Sequence, residues 1–119
     1  MIIIWSIKKM KKEAYLQIIT TTNTKEEAER IAFILVEKGL AACVQVIGPV
    51  TSIYRWEGKI ENTTEWICQI KTIKDLYNSV EKEILSNHTY KLPEIIAIPI
   101  TTGSKKYLEW IRMQVTSND

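Results

Sequence analysis

An α+β fold, with helices on one face of an antiparallel sheet, is predicted by three observations. Short apolar runs and one-faced helical stretches follow the order strand, helix, strand, strand, helix, strand, with one further helix behind them. No Pro-, Gly- or Ser-rich linker divides the 119 residues. The middle two strands form one continuous ribbon, Ala41 to Thr72, turning at Glu57-Gly58. This order is the split βαβ, ferredoxin-like arrangement, here a βαββαβ sandwich with an extra C-terminal helix and a long hairpin between its second and third strands.

Each element has its own reason. Residues Ala14 to Thr22 place Leu16 and Ile18 on one face and Tyr15 and Ile19 on the other, which predicts a central strand covered on both sides. Thr24 and Glu27 stand at capping-box spacing, Ala28, Ile31, Ala32 and Leu35 make one helical face, and Gly39 closes it. Ile73 to Asn87 reads as a second helix, with Thr72 and Asp75 available to cap it and Leu76, Val80 and Ile84 on one face. Pro93 makes residues 88–94 an irregular linker. Ile95 to Ile100 is a short apolar strand whose Pro99 predicts a side without a neighbour. Gly103-Ser104 opens a last helix with Tyr107, Leu108, Ile111 and Val115 as its apolar stripe, and Ser117 to Asp119 should fray.

Composition excludes more than it selects. Hydrophobic content of 45% and charged content of 25% are those of an ordinary globular chain. A net charge of +2 argues for neither nucleic acid nor an anionic membrane as partner. No apolar stretch approaches the roughly 18–20 residues that cross a bilayer. Residues 1–12 reverse the order of a secretory signal, because the apolar run precedes the lysines. They are expected to be an extension outside the fold, with Met10 as a plausible start and residues 13–116 as one domain, in the cytoplasm. Two cysteines, Cys43 and Cys68, form neither a disulfide framework nor a C-x-x-C pair.

Each arm of the ribbon runs to about fifteen residues, against roughly 5–6 for a usual strand. A two-residue turn pairs Trp56 with Lys59 and Tyr54 with Glu61. Carried back unbroken, that register sets Val46 against Gln69 and Val44 against Lys71, apolar against polar. A one-residue slip exchanges faces, so a bulge is required, and Gly48-Pro49 is its place. One bulge is expected to bring Val46 opposite Ile70 and Val44 opposite Thr72. Beyond it the tip carries Tyr54, Trp56 and Ile60, with Trp66 just below. An isolated ribbon with exposed aromatic residues is unstable and prone to aggregate. Pairing with another copy of the chain removes both problems; a last helix folded over the tip is the monomeric alternative.

The wording of several separated stretches resembles the CutA divalent-cation tolerance family. They are Ala41-Ala42-Cys43-Val44, Val50 to Tyr54, Trp56-Glu57-Gly58-Lys59-Ile60, Ile70-Lys71-Thr72, His88 with Tyr90, Leu92 to Ile100, and Tyr107 to Ile111. The resemblance runs from about Tyr15 to Ile111. It implies a ferredoxin-like protomer assembled as a homotrimer through its long strands, and a role in tolerance of divalent metals, copper in particular, with copper binding. Gln45 stands where the family often has Asn, and His88-Thr89-Tyr90-Lys91 where it usually reads His-Pro-Tyr-Glu.

A copper site wants sulfur or imidazole donors. Cys43 matches the family's cysteine and is the leading metal ligand, with His88, the only histidine, and Glu94 as partners. Against this, His88 at a helix end also suits bonding to terminal carbonyls. A second constellation, Lys71, Tyr90 and Glu94 with Trp56 and Glu61, suits a small anion or a polar metabolite at a subunit boundary, or a structural ion pair with a tyrosine. Tyr54, Trp56, Ile60 and Trp66 are the expected trimer contacts.

No Ser or Cys stands in a nucleophilic context with His88, so an enzyme is not expected, nor is an organic cofactor. The last strand lacks the aromatic residues of an RNA-reading sheet. The rival reading is a ligand-sensing trimer resembling the nitrogen-regulatory PII proteins, whose phosphate nest this glycine-poor chain lacks. A third is a structural trimer whose metal phenotype is indirect.

Overall fold

A computed structural model of the chain describes residues 14–115. The expected N-terminal extension and the fraying of Ser117 to Asp119 lie outside these residues. The elements are β1 (Tyr15–Thr22), α1 (Lys25–Glu37), β2 (Cys43–Trp56), β3 (Lys59–Ile73), a 3₁₀ turn (Lys74–Leu76), α2 (Tyr77–Asn87), β4 (Ile95–Pro99) and α3 (Lys105–Gln114). The sheet order is β2-β3-β1-β4, antiparallel throughout, as the ferredoxin-like arrangement requires.

One face of the sheet carries the core. Leu16, Ile18, Cys68 and Ile70 point toward Ala28, Ile31 and Leu35 of α1 and Val80 and Ile84 of α2, all buried. The helical stripes at i, i+3, i+4 and i+7 therefore do what their spacing implies. β1 is central, flanked by β3 and β4, but it is not covered on both faces as expected. Its second face, with Gln17 and Ile19 only half-buried, continues into exposed Ile96 and Ile98 of β4 and exposed Ile47 of β2. Arg112 of α3 stacks over the Tyr15 ring at 5.5 Å, at one end of that face. Among the described residues the rest is left uncovered, because α1 and α2 both pack against the opposite face.

Neither Thr72 nor Asp75 caps the second helix as expected. Thr72 lies buried in β3, and its hydroxyl donates to the Leu40 carbonyl (2.7 Å). The 3₁₀ turn takes the place of a capped start, and no side chain bonds there. In α3, Ser104 Oγ accepts from Tyr107 N–H (3.4 Å), and Ile111 and Val115 are buried, but Tyr107 turns outward to stack on Trp110. β4 forms an edge, with Pro99 on it, as its missing donor demands.

The ribbon projects. The molecule measures 54 × 30 × 24 Å along its principal axes, elongated by two strands of 14 and 15 residues. Glu57 (φ 51) and Gly58 (φ 79) both adopt the left-handed conformation, which is the signature of a type I′ hairpin turn. The turn sets Trp56 opposite Lys59 and Tyr54 opposite Glu61, as expected. The register breaks between Ile47 and Val50, also as expected.

The direction of the break is the reverse of the expected one. The extra residue lies on β2, so Val44 pairs with Ile70 and Val46 with Cys68, rather than with Thr72 and Ile70. Both directions restore apolar-to-apolar pairing, since each shifts the register by one. In the observed direction Trp66 fits over Gly48. A Cβ at Gly48 would lie 2.7 Å from Trp66 Cγ, far inside contact distance. Gly48 has no positive φ, so the indole and not the backbone turn demands glycine. Gly48→Ala is expected to displace Trp66 and destabilise the fold by about 1–3 kcal/mol, the range for overpacking. Chemical denaturation followed by tryptophan fluorescence checks this, and an unchanged midpoint would contradict it.

Candidate functional site

The linker after α2 is held by two buried carboxylates that belong to other elements. Glu27, 4% exposed, stands in the first turn of α1, where Thr24 Oγ1 accepts from its N–H (3.1 Å). Its own carboxylate does not complete a capping box. It reaches across instead, accepting from Thr89 N–H (3.0 Å) and from the Thr89 hydroxyl (2.9 Å). Glu65, 6% exposed, stands on β3 and accepts from the Tyr90 hydroxyl (2.7 Å). Burial first, then the hydrogen bond to Glu65 and its charge, push the Tyr90 phenol well above its ordinary pKa. Tyr90 is therefore a fixed donor at any physiological pH.

Between these anchors lies His88, its side chain fully enclosed. Nε2 is 2.6 Å from the Thr21 carbonyl, and Nδ1 is 3.0 Å from the Tyr90 N–H. A carbonyl only accepts and a backbone N–H only donates, so these partners place the proton on Nε2 and the lone pair on Nδ1. Glu27 Oε2 lies 3.4 Å from Nδ1, further than the Tyr90 N–H that already occupies that nitrogen. Both nitrogens are committed. His88 holds the linker to β1, and in this conformation it has no lone pair to give a metal.

Beside the network a cleft of about 490 Å³ opens between the linker and the ribbon tip. Tyr54, Trp56, Glu65, Tyr90, Lys91 and Glu94 line it. Of the predicted ligand residues, Tyr90, Glu94 and Trp56 thus come together. Lys71 does not join them; it donates to Gln45 (2.7 Å) at the base of the ribbon, six residues from Glu65 along β3. Glu61 lies opposite Tyr54 nearer the turn and does not line the cleft, where Glu65 supplies the carboxylate instead. Of the expected contact residues, Tyr54, Trp56 and Ile60 are exposed, while Trp66 is tucked onto Gly48 within its own chain. No part of the described chain covers the tip.

The predicted metal ligands do not converge. Cys43 is half-buried and pairs with Lys71, while His88 bonds Thr21, four residues further along the sheet than Gln17, the neighbour of Lys71. Among the described residues, no three His, Cys, Asp or Glu side chains gather as ligands would. Cys68 is no alternative donor. Its thiol is buried and directed to the Ala28 carbonyl (3.6 Å), and burial, with a smaller contribution from Glu27, pushes its pKa from 9.0 to about 11.

That shift predicts a pH effect. Folding favours the neutral thiol, so the folded pKa exceeds the unfolded one. The stabilisation is complete below about pH 9 and is lost as the pH rises toward 11. The loss is on the order of 2–3 kcal/mol. Denaturant midpoints across this window should fall less steeply in Cys68→Ala, and parallel profiles would contradict the assignment.

The described fold and the pattern of buried residues have known counterparts. The CutA1 divalent ion tolerance protein family matches residues 16–114. The chain belongs to this family. A divalent-cation tolerance protein CutA from Archaeoglobus fulgidus is 47% identical over 94 residues, which cover 79% of this chain and 91% of the relative. The chloroplastic CutA of Arabidopsis thaliana is 39% identical over 95 residues, 80% of this chain but 52% of the relative, so this CutA-family chain spans about half of that protein. Among solved structures, a divalent cation tolerance protein from Thermus thermophilus superposes with a TM-score of 0.84 at 35% identity, covering 86% of this chain and 99% of the other. One CutA relative is named as chloroplastic and the Archaeoglobus structure is described as periplasmic, so location varies among relatives. In this chain no described helix is long and apolar enough to cross a membrane.

The signals that sequence reasoning missed are Glu27, Glu65 and Thr89. Glu27 carried a local explanation as a capping residue, and its partner lies 62 positions away. Glu65 shares strand parity with Glu61 and Lys71, and no local pattern sets how far along the ribbon the linker crosses.

Proposed function

We propose that this chain works as a homotrimer in the cytoplasmic response to divalent cations, copper among them, by binding rather than by catalysis. The observation that carries the reading is uncovered apolar surface. Ile53 and Ile60 at the tip are 68% and 69% exposed, and Ile96 and Ile98 on the open sheet face are 48% and 46% exposed. Apolar surface of this extent marks an interface, and a projecting two-stranded ribbon needs a partner to hold it. Membership of the divalent ion tolerance family supplies the cation.

His88 is committed to Thr21 and Tyr90, and Cys43 and Glu94 stand on separate elements, so a bound cation draws its donors from more than one copy. Cys43 is the soft donor with solvent access, and Glu94 is an exposed carboxylate. Titration of Cu(II) into the purified protein tests this. Cys43→Ser is expected to weaken binding by roughly tenfold or more while the assembled mass is unchanged. Equal binding by both proteins would remove Cys43 from the site.

A second reading has its own observation. The cleft beside Tyr90 is of ligand size and has a buried carboxylate in its wall, which favours a trimer that senses a small molecule, in the manner of PII proteins.

A further inference from the structure

We infer that the cleft between the ribbon tip and the 88–94 linker is a binding site for a small organic ammonium cation. The inference rests on the ligand-sensing reading and gives that ligand its chemistry.

Charge is the first argument. Glu65 is more than nine-tenths buried, yet it lines the cleft. Among the described residues its one side-chain hydrogen-bond partner is the Tyr90 hydroxyl, which carries no charge. Among the described residues, no Lys, Arg or His nitrogen lies within 4.0 Å of it. A buried carboxylate without a counter-charge is costly, and a cation in the cleft would supply one. Glu94 adds a second carboxylate to the lining, against the single ammonium of Lys91 among the described residues.

The walls are the second argument. Tyr54, Trp56 and Tyr90 all line the same space, and aromatic side chains attract organic cations. A volume of about 490 Å³ suits a small organic molecule rather than a bare ion. A metal ion would find aromatic carbon where it needs donors, and no third ligand gathers with Glu65 and Glu94. Among the described lining residues, a nucleotide or other polyanion would face two carboxylates with Lys91 alone in compensation. The ribbon tip also borders the proposed subunit contact, so the assembled, full-length protein is the form to test.

Calorimetric titration with choline and with putrescine, beside ATP and citrate, decides the matter. At least one of the two ammonium compounds is expected to bind and to perturb tryptophan fluorescence. Glu65→Gln keeps an acceptor for Tyr90 and should weaken that binding by roughly tenfold or more, the cost of losing a charged hydrogen-bonding partner. Unchanged circular dichroism and mass would show that the variant is folded. If it does not fold, Glu94→Gln, at an exposed position, carries the comparison and is also expected to bind more weakly. Ammonium binding that neither substitution weakens overturns the assignment. Binding of ATP or citrate in preference to both ammonium compounds overturns the organic-cation proposal and leaves the sensing reading standing. Binding of none of the four overturns both.

Discussion

Glu27→Ala is expected to lower the stability of the fold by about 3 kcal/mol, near the upper end for one charged hydrogen-bonding group. In thermal terms that is roughly 10 °C for a domain of this size. The carboxylate accepts two hydrogen bonds from Thr89 and is almost wholly buried, so its removal leaves a buried N–H and a hydroxyl without partners. A residue that only completed a helix cap would cost about 1 kcal/mol. A double-mutant cycle with Thr89→Val separates the two roles. Coupling of 1 kcal/mol or more is expected from a direct buried contact, and additive effects would contradict it. The consequence reaches function, because Thr89 sits between His88 and Tyr90, and Tyr90 forms one wall of the cleft.

Ile98→Asp is expected to have an even larger effect, but on assembly. In a lone chain Ile98 is nearly half exposed at the edge strand, and such a change would alter stability by a few tenths of a kcal/mol. In a trimer closed over the open sheet face, each copy would bury an unpaired carboxylate at a cost of several kcal/mol. Light scattering should then report dissociated chains at micromolar concentration, with secondary structure retained. Lys82→Asp, on the exposed side of α2, is the control and should leave the mass unaltered.

The sequence carried the fold in some detail, for identifiable reasons. Helix α1 was legible because its apolar stripe and its cap agree, and the turn because Glu57-Gly58 suits two left-handed residues. The bulge at Gly48-Pro49 was legible from parity alone, since an unbroken ladder would have put Val44 and Val46 against polar partners. Its direction was not, because insertion on either strand restores the same faces. The fit of Trp66 over Gly48 accompanies the observed direction, and that contact exists only once the chain is folded.

The site was legible as a set of faces but not as heights. Glu61, Glu65 and Lys71 share one side of β3, and a strand advances about 3.3 Å per residue. Six residues therefore carry Lys71 roughly 20 Å from Glu65. Where the linker crosses is fixed by Glu27 and His88, through contacts to Thr89 and Thr21 that no local pattern encodes. His88 illustrates the same limit. As the only histidine it invited a metal, and its two backbone partners give it a structural use instead.

The claim on which the rest depends is that the ribbon and the open sheet face are covered by further copies of the chain. Sedimentation equilibrium of the unmodified protein at micromolar concentration tests it most directly. The expected mass is three times the 13.8 kDa of one chain, independent of concentration across that range. A mass of 13.8 kDa, with the ribbon tip exposed to solvent, would contradict the account.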